Sequence, residues 1–365
     1  MSFTSIPILD LAEAQEPATK PEFLKQLRHA LMEVGFLYIK NVGIPESLFA
    51  DVIEQAKAFF DLPEEEKLKI EMKNAPSFLG YSRLAAEITA GAADHREQLD
   101  LSTEHPLPSP SAPLHHNLRA PNQWPSAGAL PRFRPVLSDY LTRMGAVSRV
   151  FTSLVAEAIH LPATAFDAYF DEDQQHKLNP HKDSMLTSYL LQATAHRGLQ
   201  VQNLGGAWVD CPPVAGTLVV AIGQGLEALT RGACVSTTHR VLSPGAGEGA
   251  RLSVPFFQGV KADAAFADLE VGGGGEVRRE RRAVGDDVEF TFRAGGAART
   301  LGEATLRNRV KSHPDVGERW YPDILREIRA EQAAKAEQKP QADEVVRGDG
   351  ITHGSSLPAA KVEAH

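Results

Sequence analysis

The sequence predicts a mixed α+β protein in which helices and terminal segments are added to a single β-sandwich or barrel core. Two patterns point there: amphipathic helical stripes in the N-terminal half, and a dense run of short strands after His181. Scale agrees, because 365 residues that are 42% hydrophobic and 23% charged can bury a large core.

Ile6 to Asp10 reads as a short strand. From Glu22 to Val34, the residues Phe23, Leu27, Ala30, Leu31 and Val34 recur at helical spacing, and Gly35 ends that helix. Phe36 to Ile39 is rich in strand formers, and Asn41, Gly43 and Pro45 separate it from an amphipathic helix over Glu46 to Phe60. Prolines from Pro106 to Pro125 make Ala86 to Leu130 irregular, with His115 and His116 read as exposed loop histidines. Leu137, Tyr140, Met144, Val147, Phe151, Leu154, Val155 and Ala158 then mark a long helix, Val136 to Ile159, whose stripe is core packing.

After His181 the expected strands are Leu186 to Gln192, Gly198 to Asn203, Ala207 to Cys211, Thr217 to Ile222, Ser236 to Val241 and Leu252 to Phe257. Asn203 to Gly206 is a hairpin turn that sets the second and third of these antiparallel. Gly272 to Gly275 lacks the following Lys and Ser or Thr of a phosphate loop and reads as a linker. Leu301 to Ile328 is partly helical, with Trp320 expected to pack on the core, and the chain beyond about Ala330 has the composition of a disordered tail. The expected division is 1–130, an N-terminal strand and helix region; 131–260, the core with its long helix; 261–330, an extension; and 331–365, the tail.

A net charge of -9 and a pI near 5.8 argue against nucleic acid or an anionic membrane as the main partner. Arg278, Arg279, Arg281 and Arg282 are interleaved with acids and read as a solvated helix end. Cys211 and Cys234 form no C-x-x-C pair and read as reduced thiols. With no leader-like N-terminus and no membrane-length apolar run, the expectation is a cytoplasmic monomer acting on a small molecule.

The chemistry centres on His181-Lys182-Asp183. Side chains two apart on a strand share a face, so His181 and Asp183 can converge on one metal, and His239, in a later β-run, can supply the third ligand. Two imidazoles and a carboxylate with open positions suit ferrous iron. A second copy, His313-Pro314-Asp315, sits where a helix or turn begins and reads as structural. Arg251 and Ser253 share a strand face and offer a guanidinium fork and a hydroxyl to a carboxylate. Strict alternation from Asp183 puts Met185, Thr187 and Tyr189 in the interior. Met185 and Thr187 are candidates to line the substrate pocket, while Tyr189 could meet a co-substrate or fill core volume. Phe257, in phase with Arg251 and Ser253, is a pocket candidate or an ordinary core Phe.

The words HKDSMLTSYLLQ, GLQVQNLGGAWVDCPPVAGTLVVAIGQGLEALTRG and STTHRVLSPGAGEGARLSVPFF resemble the isopenicillin N synthase-like branch of the iron and 2-oxoglutarate dioxygenases. IPILDL, VGFLYIKNVGIP, AFFDLPEEEK, GYS and HREQLDL resemble that family's N-terminal helical cap, so the likeness spans most of residues 6–260. The resemblance implies a double-stranded β-helix (jelly-roll) core with a helical cap and a C-terminal extension of a kind common in fungal members. It also implies Fe(2+) on His181, Asp183 and His239, 2-oxoglutarate on Arg251 and Ser253, and O2 as oxidant. One departure is that the strand and loop usual before the His-x-Asp word are shortened, since His176 to Pro180 run almost directly into His181. Two other readings stay open at this point: an iron oxidase that needs no 2-oxoglutarate, and a silent β-helix that only binds.

Overall fold

The computed structural model describes residues 2–86, 88–89, 92–93, 95–170, 176–178, 186–245, 247–264 and 300–338. His181, Asp183, Met185, the Arg278 to Arg282 cluster, Gly272 to Gly275 and the last residues of the chain fall outside them. The strands are β1 Ile8–Asp10, β2 Phe36–Lys40, β3 Gly80–Ser82, β4 Ile88–Thr89, β5 Ala92–Ala93, β6 Gln98–Ser102, β7 Lys177–Leu178, β8 Thr187–Gln192, β9 Leu199–Gln202, β10 Trp208–Asp210, β11 Thr217–Ile222, β12 His239–Val241 and β13 Ser253–Phe257. The helices are α1 Lys20–His29, α2 Glu46–Phe60, α3 Glu64–Leu68, α4 Phe133–Ala158, α5 Gln224–Leu229, α6 Leu301–Ser312, α7 Pro314–Trp320 and α8 Pro322–Gln338.

Two sheets form a jelly roll. The larger runs β1-β2-β11-β8-β13-β7-β6-β3 and the smaller β10-β9-β12, with β9 antiparallel to both neighbours as the Asn203 to Gly206 turn requires. Register assigns the faces of the larger sheet, because residues directly opposite in a ladder point the same way. Leu37, Ile39, Val220, Tyr189, Leu191, Val254, Phe256 and Leu178 pack with α1, α2 and α4 in one core. Phe36, Tyr38, Val219 and Ala221 point the other way, against Leu199, Val201 and Val241 of the smaller sheet. The interior of the roll is therefore the face bearing Ser188, Leu190 and Gln192 of β8 and Ser253, Pro255 and Phe257 of β13.

A buried polar network fastens α4 to the helix side of this sheet. Gln258 meets Thr152 and Thr187 through Oε1 at 2.9 and 2.7 Å and donates to the Ser148 carbonyl at 3.2 Å. Such groups tolerate burial because they are all bonded.

The C-terminal helices close the far end of the larger sheet. Leu306, Val310, Val316, Tyr321, Leu325 and Ile328 pack on Met72, Phe78 and Leu118. Arg309 of α6 reaches the carboxylate of Asp100 on β6, both almost fully buried, and donates to the Phe78 carbonyl. R309M removes the buried guanidinium from the Asp100 carboxylate, and stability to chemical denaturation is expected to fall by about 3–5 kcal/mol.

Several expectations need correcting. Ala86 to Leu130 is not wholly irregular, since β6 is an inner strand of the larger sheet. His115 is not an exposed loop residue: it is buried, and Asp263 lies 2.7 Å from its Nε2 and 2.9 Å from that of His116. Trp320 stays 40% exposed, bonded through Nε1 to the Lys73 carbonyl, while its neighbour Tyr321 is the buried ring, stacked on Phe78. Helix α8 continues past Ala330 to Gln338.

Candidate active site

His239 opens β12 inside the roll, its ring centroid 5.0 Å from that of Phe36 across the two sheets. Its position starts at the end of the first helix. Gly35 adopts φ 72°, a left-handed conformation that favours glycine, and a Cβ there would collide with Thr237 Oγ1 and the Val235 carbonyl. Val235 N–H donates to the Leu31 carbonyl at 2.9 Å, and Thr237 Oγ1 donates to that of Val34 at 2.7 Å. The segment leading to His239 is thus tied to the turn after the helix. Nδ1 of His239 lies 3.3 Å from the Thr237 carbonyl, so a proton there donates to that oxygen and leaves Nε2 as the lone-pair nitrogen. A metal-binding imidazole is held in this way.

Arg251 precedes β13, with its Nη1 3.4 Å from Ser253 Oγ. Burial pulls the guanidinium below its ordinary pKa, and among the described residues no carboxylate pairs with it. A partly buried, unpaired guanidinium beside a hydroxyl on the interior face is a ready receptor for a ligand carboxylate. Phe257 shares that face four residues on and is 4% exposed.

Thr187 and Tyr189 do not join this group. Tyr189 is fully buried on the helix side against Phe151 and Phe256, and its hydroxyl meets Thr187 Oγ1 at 3.1 Å. On the described strand, which runs from Thr187 with Leu186 in a bend before it, the even-numbered residues face inward, whereas Thr187 and Tyr189 face the helices. Y189F is accordingly expected to leave the KM for 2-oxoglutarate within about twofold while costing roughly 1 kcal/mol of stability, as read by steady-state kinetics and denaturation.

His313 of the second His-x-Asp word is buried beside Phe78, and Pro314 begins α7, so that copy is structural. Among the described residues, no helix is long and apolar enough to cross a membrane.

Comparison with known proteins agrees with this arrangement. The family model "non-haem dioxygenase in morphine synthesis N-terminal" matches residues 6–127, and the "2OG-Fe(II) oxygenase superfamily" model matches residues 158–260. A 2-oxoglutarate-dependent dioxygenase of Dothideomycetidae sp. (strain 11243), frbJ, is 62% identical over 360 residues, covering 91% of this chain and 97% of the relative. A homoarginine-6-hydroxylase of Glycine max is 32% identical over 300 residues, covering 73% of this chain and 89% of its own. In fold, the chain resembles a full-length Neurospora crassa protein crystallised with alpha-KG and thymine, at TM-score 0.65 and 20% identity, covering 84% and 97% of the two chains. The chain belongs to the 2OG-Fe(II) oxygenase superfamily and is a 2-oxoglutarate-dependent dioxygenase that uses Fe(2+), 2-oxoglutarate and O2.

Proposed function

We propose that His181, Asp183 and His239 hold the iron, that Arg251 and Ser253 hold the far carboxylate of 2-oxoglutarate, and that Phe257, with Met185, borders a small organic substrate. What supports this is a tethered imidazole on the smaller sheet and, on the interior face of the larger sheet, an Arg–Ser pair that meets no carboxylate among the described residues. The donor set fits: two imidazoles and a carboxylate for ferrous iron, a guanidinium and a hydroxyl for a carboxylate. When bound, iron with 2-oxoglutarate and O2 supplies the oxidising power for a C–H bond and releases succinate and carbon dioxide. The protein's part is positional: Thr237 orients the His239 ring, Arg251 and Ser253 fix the co-substrate, and the apolar wall that includes Phe36 and Phe257 excludes water.

The reduced, buried state of Cys211 and Cys234 supports a cytoplasmic setting, and the acidic pI supports a small molecule over a polyanion as partner. The test is anaerobic titration of the apoprotein with ferrous iron and then 2-oxoglutarate, read by its visible charge-transfer band, followed by succinate assay in air. A band and succinate are expected; a protein that binds both and yields no succinate is a silent β-helix instead.

A further inference from the structure

Lys177 is 2% exposed, yet it is not a core residue of the usual kind. Strand β7 lies between β13 and β6, with Lys177 directly opposite both Phe257 and Ser102. Its neighbours in sequence fix its direction. Leu178 packs in the helix-side core, and His176 lies against Phe256 and Gly145 of α4 on that same side. Lys177 therefore projects to the interior face shared by Phe257 and Ser253. No acceptor among the described residues reaches its Nζ within hydrogen-bond distance.

A second cation stands close by. Arg309 places Nη2 on Asp100 and the Phe78 carbonyl, while its buried Nε and Nη1 have no hydrogen-bond partner. Burial and then the charge of Arg309 push the Lys177 ammonium down to about 7, with Asp100 opposing. Arg96 also bears, with Arg309 and Lys177, on the buried ring of His313. Asp100 is the one described carboxylate whose charge bears on Lys177. An ammonium and a guanidinium held out of water against a single carboxylate leave positive charge uncompensated, which is costly unless a ligand supplies the counter-charge.

The far carboxylate of 2-oxoglutarate is not that counter-charge. Lys177 is one strand over from Phe257, and Phe257 is four residues, roughly 13 Å at strand rise, from Ser253. A group bound at Lys177 therefore lies at the other end of the interior surface from the Arg251 and Ser253 pair.

We propose that Lys177, with Arg309 behind it, anchors a carboxylate of the organic substrate, so that the oxidised molecule is a small carboxylic acid held by its acid group beside Phe257. This rests on the interior surface being the oxygenase site.

The test uses the enzyme loaded with iron and 2-oxoglutarate. Free L-amino acids, homoarginine included, and aliphatic and aromatic monocarboxylic acids are each compared with their primary carboxamides. Succinate formation above the substrate-free rate is scored in air, and dissociation constants are measured by equilibrium dialysis under nitrogen. At least one acid is expected to accelerate turnover, with its amide bound at least about 30-fold more weakly. For that acid, K177M should raise KM by a similar factor with a smaller change in kcat, and K177R should recover most of the loss. An amide that matches its acid, an unchanged KM in K177M, or a panel in which no acid accelerates turnover overturns the assignment. Substrate-free succinate formation separates the layers: if it persists while every acid fails, the oxygenase reading stands and this one falls, whereas loss of both iron binding and succinate brings down the two together.

Discussion

With His239 replaced by Ala, the protein is expected to bind ferrous iron at least about 100-fold more weakly and to form no succinate above background. The floor follows from chemistry one shell further out, where altering a residue that merely orients a metal ligand already costs about 10–100-fold. Removing the ligand itself must cost more, because the remaining imidazole and carboxylate leave a face of the iron to water. Stability gives a second readout. Ligand at 100 times its dissociation constant adds about 2.7 kcal/mol to the folded state and at its dissociation constant only about 0.4 kcal/mol, so iron should raise the unfolding midpoint of the parent far more than that of H239A. His181→Ala and Asp183→Ala should behave alike. His313→Gln should keep its iron affinity within about twofold, since that ring is packed with the C-terminal helices beside Phe78. Retention of tight iron binding by H239A would remove the basis for the proposed triad.

What the sequence disclosed, and what it hid, follows from where each residue finds its partner. Helix α2 and strand β11 are legible because an apolar stripe or run declares itself within a few residues, and both match the ranges read from the sequence, Glu46–Phe60 and Thr217–Ile222. Strand β6 is not, because Gln98 and Asp100 give it the polarity of a loop. Arg309, 209 residues away, pairs with Asp100 and helps make it tolerable in the interior. His115 is hidden in the same way, its partner Asp263 lying 148 residues on. The site divides along a similar line. Arg251, Ser253 and Phe257 lie in or beside one regular strand, and counting by twos places them together. Tyr189 is not placed by a count from Asp183, because on the described strand the odd-numbered residues face the helices. The burial of Lys177 is not legible in the sequence, for it depends on strands β6 and β13 closing on either side of a two-residue strand. The shortened segment before His181 thus still contributes β7 to the larger sheet, and with it a cation on the interior face.

Arg251→Met is the sharper test of how the co-substrate is held. The guanidinium meets Ser253 Oγ and, among the described residues, no carboxylate, so its charge is available to a ligand. Truncating one partner of a buried, hydrogen-bonded charge pair costs about 2–5 kcal/mol, and the lower bound alone is roughly a 30-fold rise in the KM for 2-oxoglutarate. The far carboxylate takes no part in bond making, so the contact is equally strong before and during reaction. Its loss should raise KM while kcat at saturating 2-oxoglutarate changes much less. Arg251→Lys should fall between, because a point charge on a flexible stem cannot reproduce the planar fork. Ser253→Ala should cost about tenfold, the worth of one hydrogen bond to a charged group. Initial rates of succinate formation against 2-oxoglutarate concentration, checked by anaerobic binding of 2-oxoglutarate to the iron-loaded variants, give both numbers. If R251M keeps its affinity, Arg251 does not hold the far carboxylate and the proposed co-substrate assignment falls.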